Sequence, residues 1–448
     1  MRKLIVFLAA ATMTACGGGS STGTVLPPAD TGECSNDGQK QFVLDNLYAW
    51  YLWNDLLPAG INIADYASPE QLVVQVTEQF GPQDASGAPV DRFSSVGSAA
   101  ADAQFFGEGK FEGFGFSYRI VDSATDDIRM VRVFSGSPAG NGGLARGQQF
   151  ISLNGRSIAD IQANEGIGAI FDNTTVVFEM RRLNGTVFSS SITQDIVTID
   201  PIPQWRIIDA GGGRNVGYME FATFISTANP VFDTVFAAFQ AAGVNDVIID
   251  MRYNGGGLVS TANLMGDYLG GSVAQNLVFS STEFNADRAA ANNSTEFFEL
   301  LGNSISLSRL VVIASRGTAS ASELVTNGMI PHVDVEIVGD RTFGKPVGQI
   351  GLQFCDKILR PTSFKIANAD GVGDYFDGLP VDCAAADDLS VVVGDDLDPN
   401  MVAALGYLDT GACPVVSLPG GQFKAELGIS VEQRDRRGPP QLEFADAY

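Results

Sequence analysis

Histidine is almost absent from this chain: 448 residues contain one, His332. Zinc sites built on several histidines are therefore excluded, and no His-Glu-x-x-His or Cys-x-x-Cys pair occurs. A Ser-His-Asp triad would have to use His332, so hydrolytic chemistry is expected to draw its base from Lys, Asp or Glu. Positive charge is also scarce, with 27 Lys and Arg against 52 Asp and Glu, a net charge of −25. Such a chain would repel a nucleic-acid backbone, so no nucleic-acid partner is expected. No metal or cofactor is expected either. Charged residues are only 18% and hydrophobic residues 45%, which allows a sizeable core. The length suits roughly three domains at ~150 residues each.

Long apolar runs are missing beyond the amino terminus, where Leu4 to Ala11 follows Arg2 and Lys3. That run is too short to span a bilayer and reads as a signal peptide over residues 1–15. Met13-Thr14-Ala15-Cys16 resembles a bacterial lipoprotein box, with Cys16 as the acylated residue. The expectation is a protein of the cell envelope, held to the membrane only by a lipid. Gly17 rather than Asp follows Cys16, which by Gram-negative sorting logic points to the outer membrane. Residues 16–33 read as a tether rich in Gly, Ser, Thr and Pro. Four cysteines remain: Cys34, Cys355, Cys383 and Cys413. In an exported protein an even count favours disulfides, and four cysteines allow three connectivities. Cys355–Cys383 with Cys34–Cys413 is favoured, because the first pair brackets one Gly-rich excursion.

Periodicity then divides the chain. Residues 34–105 read as a helical domain, with helical spacing from Lys40 to Leu57 and again from Pro69 to Phe80. Trp50, Tyr51 and Trp53 are read as core. From Gly113 the pattern alternates, as in Ile128–Phe134. From about 196 short apolar runs (Val216–Phe221, Val247–Met251, Leu310–Ala314, Val335–Val338) alternate with helical stretches, which predicts βαβ units. The acidic run Asp387, Asp388, Asp395, Asp396 and Asp398 does not match an EF-hand loop and reads as solvated loop and helix caps. Asp398-Pro399 before Met401–Leu408 predicts a capped helix.

Two segments could carry chemistry. Arg316-Gly317-Thr318-Ala319-Ser320-Ala321-Ser322-Glu323 follows a strand and opens a helix. A serine there is presented at the sheet edge, where free N–H groups favour developing negative charge; it could equally serve as a helix cap. Thr342-Phe343-Gly344-Lys345-Pro346-Val347-Gly348-Gln349 places a lysine in an apolar stretch. Desolvation lowers a lysine pKa and lets the neutral amine act as a base, with Gln349 four residues on able to orient it.

Taken together, "GTASASE" and "TFGKPVGQ" resemble the S41 family of serine peptidases, the carboxy-terminal processing or tail-specific proteases. The resemblance implies Ser320 as nucleophile, Lys345 as base twenty-five residues later, and Gln349 as its orienter. Ser322 is then a helix residue. Asp250-Met251-Arg252-Tyr253-Asn254-Gly255-Gly256-Gly257 resembles the family's glycine loop and implies an oxyanion hole from Gly256 or Gly257 together with Ala321. Gly113-Phe114-Gly115-Phe116, followed by "SPAGNGGLARGQQFISLNG", is similar to a PDZ domain, whose loop receives a peptide carboxylate. Pro346 departs from the family, which often has Gly there. The helical amino-terminal part and the Cys-containing carboxy-terminal part lie outside the common family form.

The implied fold is a multidomain α/β protein with a ClpP/crotonase-like core (196–385), a β-rich PDZ-like domain (106–195), the helical domain and an extension (386–448) packed on the core. The implied function is an exported serine endopeptidase acting on proteins or peptides with apolar carboxy termini. Two alternatives stand beside it: an inactive peptide-binding lipoprotein, and a Ser-Lys hydrolase of non-peptide acyl bonds.

Overall fold

The computed structural model describes residues 34–122, 126–414 and 444–445. Cys16 and the expected signal and tether lie outside the described residues.

A six-stranded sheet forms the centre, in the order Gln204–Asp209, Asn215–Glu220, Asp246–Asp250, Arg309–Ala314, Asp334–Gly339 and Cys383–Ala384. The first pair is antiparallel and the others are parallel. Asp246–Asp250 is buried along its whole length, as expected of a parallel strand covered on both faces. Alternate residues serve the two faces. Val247, Ile249, Leu310 and Val312 pack with Phe232, Phe236, Met265 and Leu324, from the helices Asn229–Ala241, Val259–Ala274 and Ala321–Met329. Ile248, Val311, Ile313 and Val338 face Met401, Ala404 and Leu408 of the helix Pro399–Thr410.

A second sheet, Ser294–Phe297, Val278–Phe284, Thr362–Ala367 and Val347–Gln349, carries the segment after Lys345. A third, of three strands, joins Ser95–Ser98 to the hairpin Leu352–Phe354 and Lys357–Arg360. The helices Asn36–Trp50 and Pro69–Phe80 share one core with that hairpin, through Leu352, Phe354 and Leu359. The expected helix to Leu57 instead stops at Trp50. Tyr51 is extended, and the Leu52 N–H donates to Thr362 O at 2.8 Å, turning the chain toward the second sheet. Tyr51 is fully buried, with Trp53 against its edge.

Residues 110–113 and 195–198 pair as a two-stranded neck. Between them lies a sheet built on Phe116–Asp122, Asp127–Val133, Gln149–Leu153, Thr175–Arg181 and Val187–Thr193. Phe114 and Phe116 are buried in its core among Phe150, Phe171 and Phe178. Gly115, at φ +81°, sits so close to Ser137 that a Cβ would lie 2.3 Å from the serine Cβ.

The favoured disulfide pairing is corrected. Cys34 joins Cys355, and Cys383 joins Cys413. Sharing one core brings the amino-terminal helix onto the hairpin that carries Cys355, while the helix Pro399–Thr410 returns Cys413 to the edge strand Cys383–Ala384. A bracketed loop in sequence gave no account of either packing contact.

Candidate active site

The strand Arg309–Ala314 ends in a turn held by Thr318, whose hydroxyl donates to Met251 O at 2.8 Å and accepts from Ser315 N–H at 2.9 Å. Ser320 follows at φ 55°, ψ −114°, a backbone region that disfavours a side chain, and the helix Ala321–Met329 begins at the next residue. This is a strand-to-helix elbow that projects a serine at the sheet edge. Ser322 has a different place: it is fully buried, and its hydroxyl donates to Asn254 O at 3.0 Å.

Glu323 joins this elbow to the lysine segment. Its buried carboxylate accepts the N–H groups of Ser320 (2.8 Å), Gly344 (2.7 Å) and Lys345 (2.8 Å), and the Thr342 hydroxyl. Burial pushes this carboxyl up, against the pull of those four donors. Sequence reasoning did not single out Glu323. The Ser-x-x-Glu spacing of a capping box is the signal that could have found it.

Lys345 is 4% exposed. Burial, with the nearby charge of Arg360 adding to it, pulls its pKa down to about 7. Its Nζ donates to Gln349 Oε1 at 2.6 Å and lies 5.2 Å from the Phe93 ring centre. The Gln349 amide nitrogen donates to Phe93 O at 2.7 Å and to Arg360 O at 2.8 Å. Both amide hydrogens therefore have acceptors, and the oxygen is left facing the amine. Phe93 O is positioned by Asp91, which takes the N–H groups of Phe93 and Ser94 and the hydroxyls of Ser94 and Thr362. These carbonyl contacts use no distinctive side chain, which is why the sequence gave no hint of them.

The glycine loop after Asp246–Asp250 meets the elbow directly. A Cβ on Gly256 would lie 2.8 Å from both Ser320 Cβ and Ala321 N. On Gly257, at φ 136°, it would lie 2.1 Å from Phe224 O. The Gly256 N–H donates to Asn254 Oδ1 at 2.9 Å, so of the two expected glycine donors Gly256 is already engaged within its own loop. Asn254 itself is fully buried, with its amide nitrogen on Phe221 O.

Arg252 anchors the root of this loop. It is 1% exposed and pairs with Asp250 (Nη2 to Oδ2, 2.6 Å), Asp398 (2.6 Å) and Asp387 (3.2 Å). The acidic run is thus not wholly solvated. Asp398 caps its helix through the Asn400 N–H at 3.0 Å, and it also neutralises Arg252. Asp387 further binds Arg119 and Arg146 of the β-rich segment, and the hydroxyl of Tyr253. Burial works to raise the Asp387 pKa, but the guanidinium groups of Arg146, Arg252 and Arg119 hold it well below the usual carboxylate range. His332 takes no part in this constellation; its Nε2 bonds Val278 O at 2.9 Å and its ring packs on Phe298.

Comparison with known proteins follows the same lines. The model for peptidase family S41 matches residues 215–380, and that for the peptidase S41 N-terminal domain matches residues 38–95, so the helical segment has a counterpart in the family. The carboxy-terminal processing protease CtpA of Bacillus subtilis is 25% identical over 264 residues, covering 58% of this chain and 53% of that protein. A carboxyl-terminal-processing protease of Synechocystis is 25% identical over 252 residues, covering 55% and 56%. The chain thus spans about half the length of these relatives. Two solved structures share the fold. An S41 protease from Bacteroides fragilis has a TM-score of 0.66 at 22% identity, covering 82% of this chain and 97% of that one. A photosystem II D1 C-terminal processing protease has a TM-score of 0.53 at 18% identity, covering 85% and 99%. Two family models matched in order along one chain, with the serine elbow and the lysine segment both inside the longer match, place this protein in peptidase family S41.

Proposed function

We propose that this protein is a serine endopeptidase of the carboxy-terminal processing type, working through Ser320 and Lys345. The observation that carries this reading is the buried Lys345, with a pKa near 7 and its Nζ held by Gln349. An amine that is half neutral at physiological pH is suited to general-base work, with no histidine needed.

In the proposed reaction Ser320 Oγ attacks the substrate carbonyl carbon while Lys345 Nζ takes the hydroxyl proton. The oxyanion is received by the N–H groups of Gly257 and Ala321. One such donor is typically worth about 2.7–4 kcal/mol in the transition state. As the C–N bond breaks, Lys345 returns the proton to the leaving amine. Water then attacks the acyl-serine while Lys345 takes its proton, and as the ester C–O bond breaks Lys345 passes that proton to Ser320 Oγ, releasing the acid and restoring the serine. Gln349 keeps the amine lone pair aimed by accepting one of its hydrogens.

Substrate capture is assigned to the edge of the strand Phe116–Asp122 and the loop Gly113-Phe114-Gly115. Phe114 and Phe116 are core residues, so their share in binding falls to the backbone. Export and a lipid anchor at Cys16 belong to the same reading, and the partners are proteins or peptides with apolar carboxy termini. Globomycin treatment of expressing cells should leave the uncleaved precursor; normal maturation under the drug would refute the anchor.

The decisive assay is cleavage of an unfolded protein with an apolar carboxy terminus by wild type, Ser320→Ala and Lys345→Ala. Loss of activity in both variants, with circular dichroism unchanged, supports the assignment. Full activity in Ser320→Ala refutes it. Tight peptide binding with no turnover between pH 6 and 10 would favour a binding protein instead, and turnover of esters alone would favour a non-peptide hydrolase.

A further inference from the structure

Asp91 belongs to the amino-terminal part of the chain, yet it reaches both sides of the Gln349 amide. It is 1% exposed. Its Oδ1 accepts the N–H groups of Phe93 (3.0 Å) and Ser94 (3.1 Å) and the Thr362 hydroxyl (2.9 Å), and its Oδ2 accepts the Ser94 hydroxyl (2.6 Å). The Ser94 oxygen in turn accepts the Thr362 N–H at 2.9 Å. Phe93 supplies one acceptor of the Gln349 amide. Thr362 lies opposite Gln349 in the ladder of the second sheet, just beyond Arg360, which supplies the other acceptor. Arg360 is tied to the same amino-terminal stretch. It pairs with Ser95 in the third sheet, and its guanidinium donates to Asp102 at 2.6 and 2.7 Å.

We propose that Asp91 is a positioning residue for the base: by holding Phe93 O and Thr362 in place it fixes both acceptors of the Gln349 amide, and so aims the Gln349 oxygen at Lys345 Nζ. The inference rests on the reading of Lys345 as that base, and it gives the helical amino-terminal domain a share in the active site. An amide whose two hydrogens are both committed cannot turn about its last bond without leaving buried groups unpaired. Charge acts beside geometry. The Lys345 amine is faced by Arg360, which disfavours its ammonium form, and by Asp91 and Glu323, which favour it. Removing the Asp91 charge while keeping its shape therefore disturbs both the aim of the amine and its hold on a proton. A carboxylate that only supported the fold would do neither in a folded chain.

The test is Asp91→Asn in the full chain, with an unfolded protein of apolar carboxy terminus as substrate. At the optimum pH kcat should fall about tenfold with KM within about twofold of wild type, the mark of a misaimed catalytic group. Isotope-labelled lysine, followed by NMR at Cε and with the Lys345 signal identified by its loss in Lys345→Met, reports the amine directly. Its titration midpoint should move to lower pH by about half a unit or more. An unchanged kcat overturns the inference, and so does a fall in kcat with the midpoint unmoved. Should Asp91→Asn fail to fold, Thr362→Val takes its place, since valine keeps the shape and removes the hydroxyl that joins Asp91 to the strand facing Gln349. There kcat should fall about threefold or more, and an unchanged kcat again overturns the inference. The NMR titration, repeated in Ser320→Ala, needs no turnover and separates the two readings. A shifted midpoint with no proteolysis by wild type leaves the hold of Asp91 on Lys345 standing and removes the peptidase assignment. Equal proteolysis by wild type and Asp91→Asn does the reverse.

Discussion

The backbone amides of Ser320 and Lys345 donate to the same oxygen of Glu323, each at 2.8 Å. The proposed nucleophile and base are therefore fixed by one carboxylate, although they lie on different elements. In Glu323→Gln an amide replaces this acceptor, and one of its ends must present N–H to N–H. The expected result is a loss of about 3 kcal/mol or more of stability, since each buried donor left unmade costs about 1–3 kcal/mol. Urea unfolding followed by fluorescence measures it. A change under 1 kcal/mol would contradict this account.

The lysine sets the pH response. With a pKa of about 7 in the folded protein, Lys345 is protonated below neutrality and neutral above it. Peptidase activity should rise with pH along a limb centred near 7, read from kcat/KM between pH 5.5 and 9. A limb centred near 10 would show that the amine is not desolvated in the working enzyme.

Stability should carry the same signature with a definite sign. In the unfolded chain a lysine titrates near ~10.4, so between about 7 and 10.4 the unfolded state binds more protons than the folded one. Burying this amine costs stability in full below the folded pKa, and the cost fades as pH rises toward the unfolded value. Lys345→Met should therefore be more stable than wild type at pH 7, by several kcal/mol at most, with the gap closing toward pH 10. A gap that is constant with pH would sink the argument.

Gln349 can be tested by charge. In Gln349→Glu a carboxylate faces Lys345 Nζ and favours the ammonium, which shifts such a pKa by roughly 1–3 units. The activity limb should move to higher pH by at least one unit, with kcat at pH 7 falling and recovering in alkali. A uniform loss at every pH would mean that the glutamine only supports the fold, through Phe93 O and Arg360 O.

Ser320 sits where a glycine would be more at ease, at φ 55° and ψ −114°. Such strain costs on the order of 1–3 kcal/mol. Ser320→Gly should raise the midpoint of unfolding, by about 1 kcal/mol in free energy, while abolishing activity. Ser320→Ala should abolish activity without that gain. Equal stability of the two variants would count against strain at this elbow.

Much of this arrangement was legible in the sequence because it rests on local signals. Alternating apolar runs marked the central strands, which form within a residue or two of Val216–Phe221, Val247–Met251 and Leu310–Ala314. Asp398-Pro399 marked the start of a helix. The structure brings Ser320 and the lysine segment together through Glu323, and Gly256 against Ser320 and Ala321. What stayed hidden depends on distant packing. The disulfide partners follow from which helix lies on which hairpin, and Asp387 meets Arg119, Arg146 and Arg252 across two regions of the chain. The engagement of the Gly256 amide comes from one Asn254 side chain. Phe93 and Arg360 act through carbonyls, which every residue possesses.

The bond from Gln349 to Phe93 O joins residues 256 apart, and the strand that supplies Arg360 O is stapled through its hairpin to Cys34. A ribosome making this chain must finish most of it before these pieces can meet, and contacts of such separation close late in folding. A half-made or half-folded molecule therefore lacks an aimed base, whatever the state of its serine. For an enzyme whose proposed diet is unfolded polypeptide, this timing protects the most vulnerable nearby target, its own nascent chain.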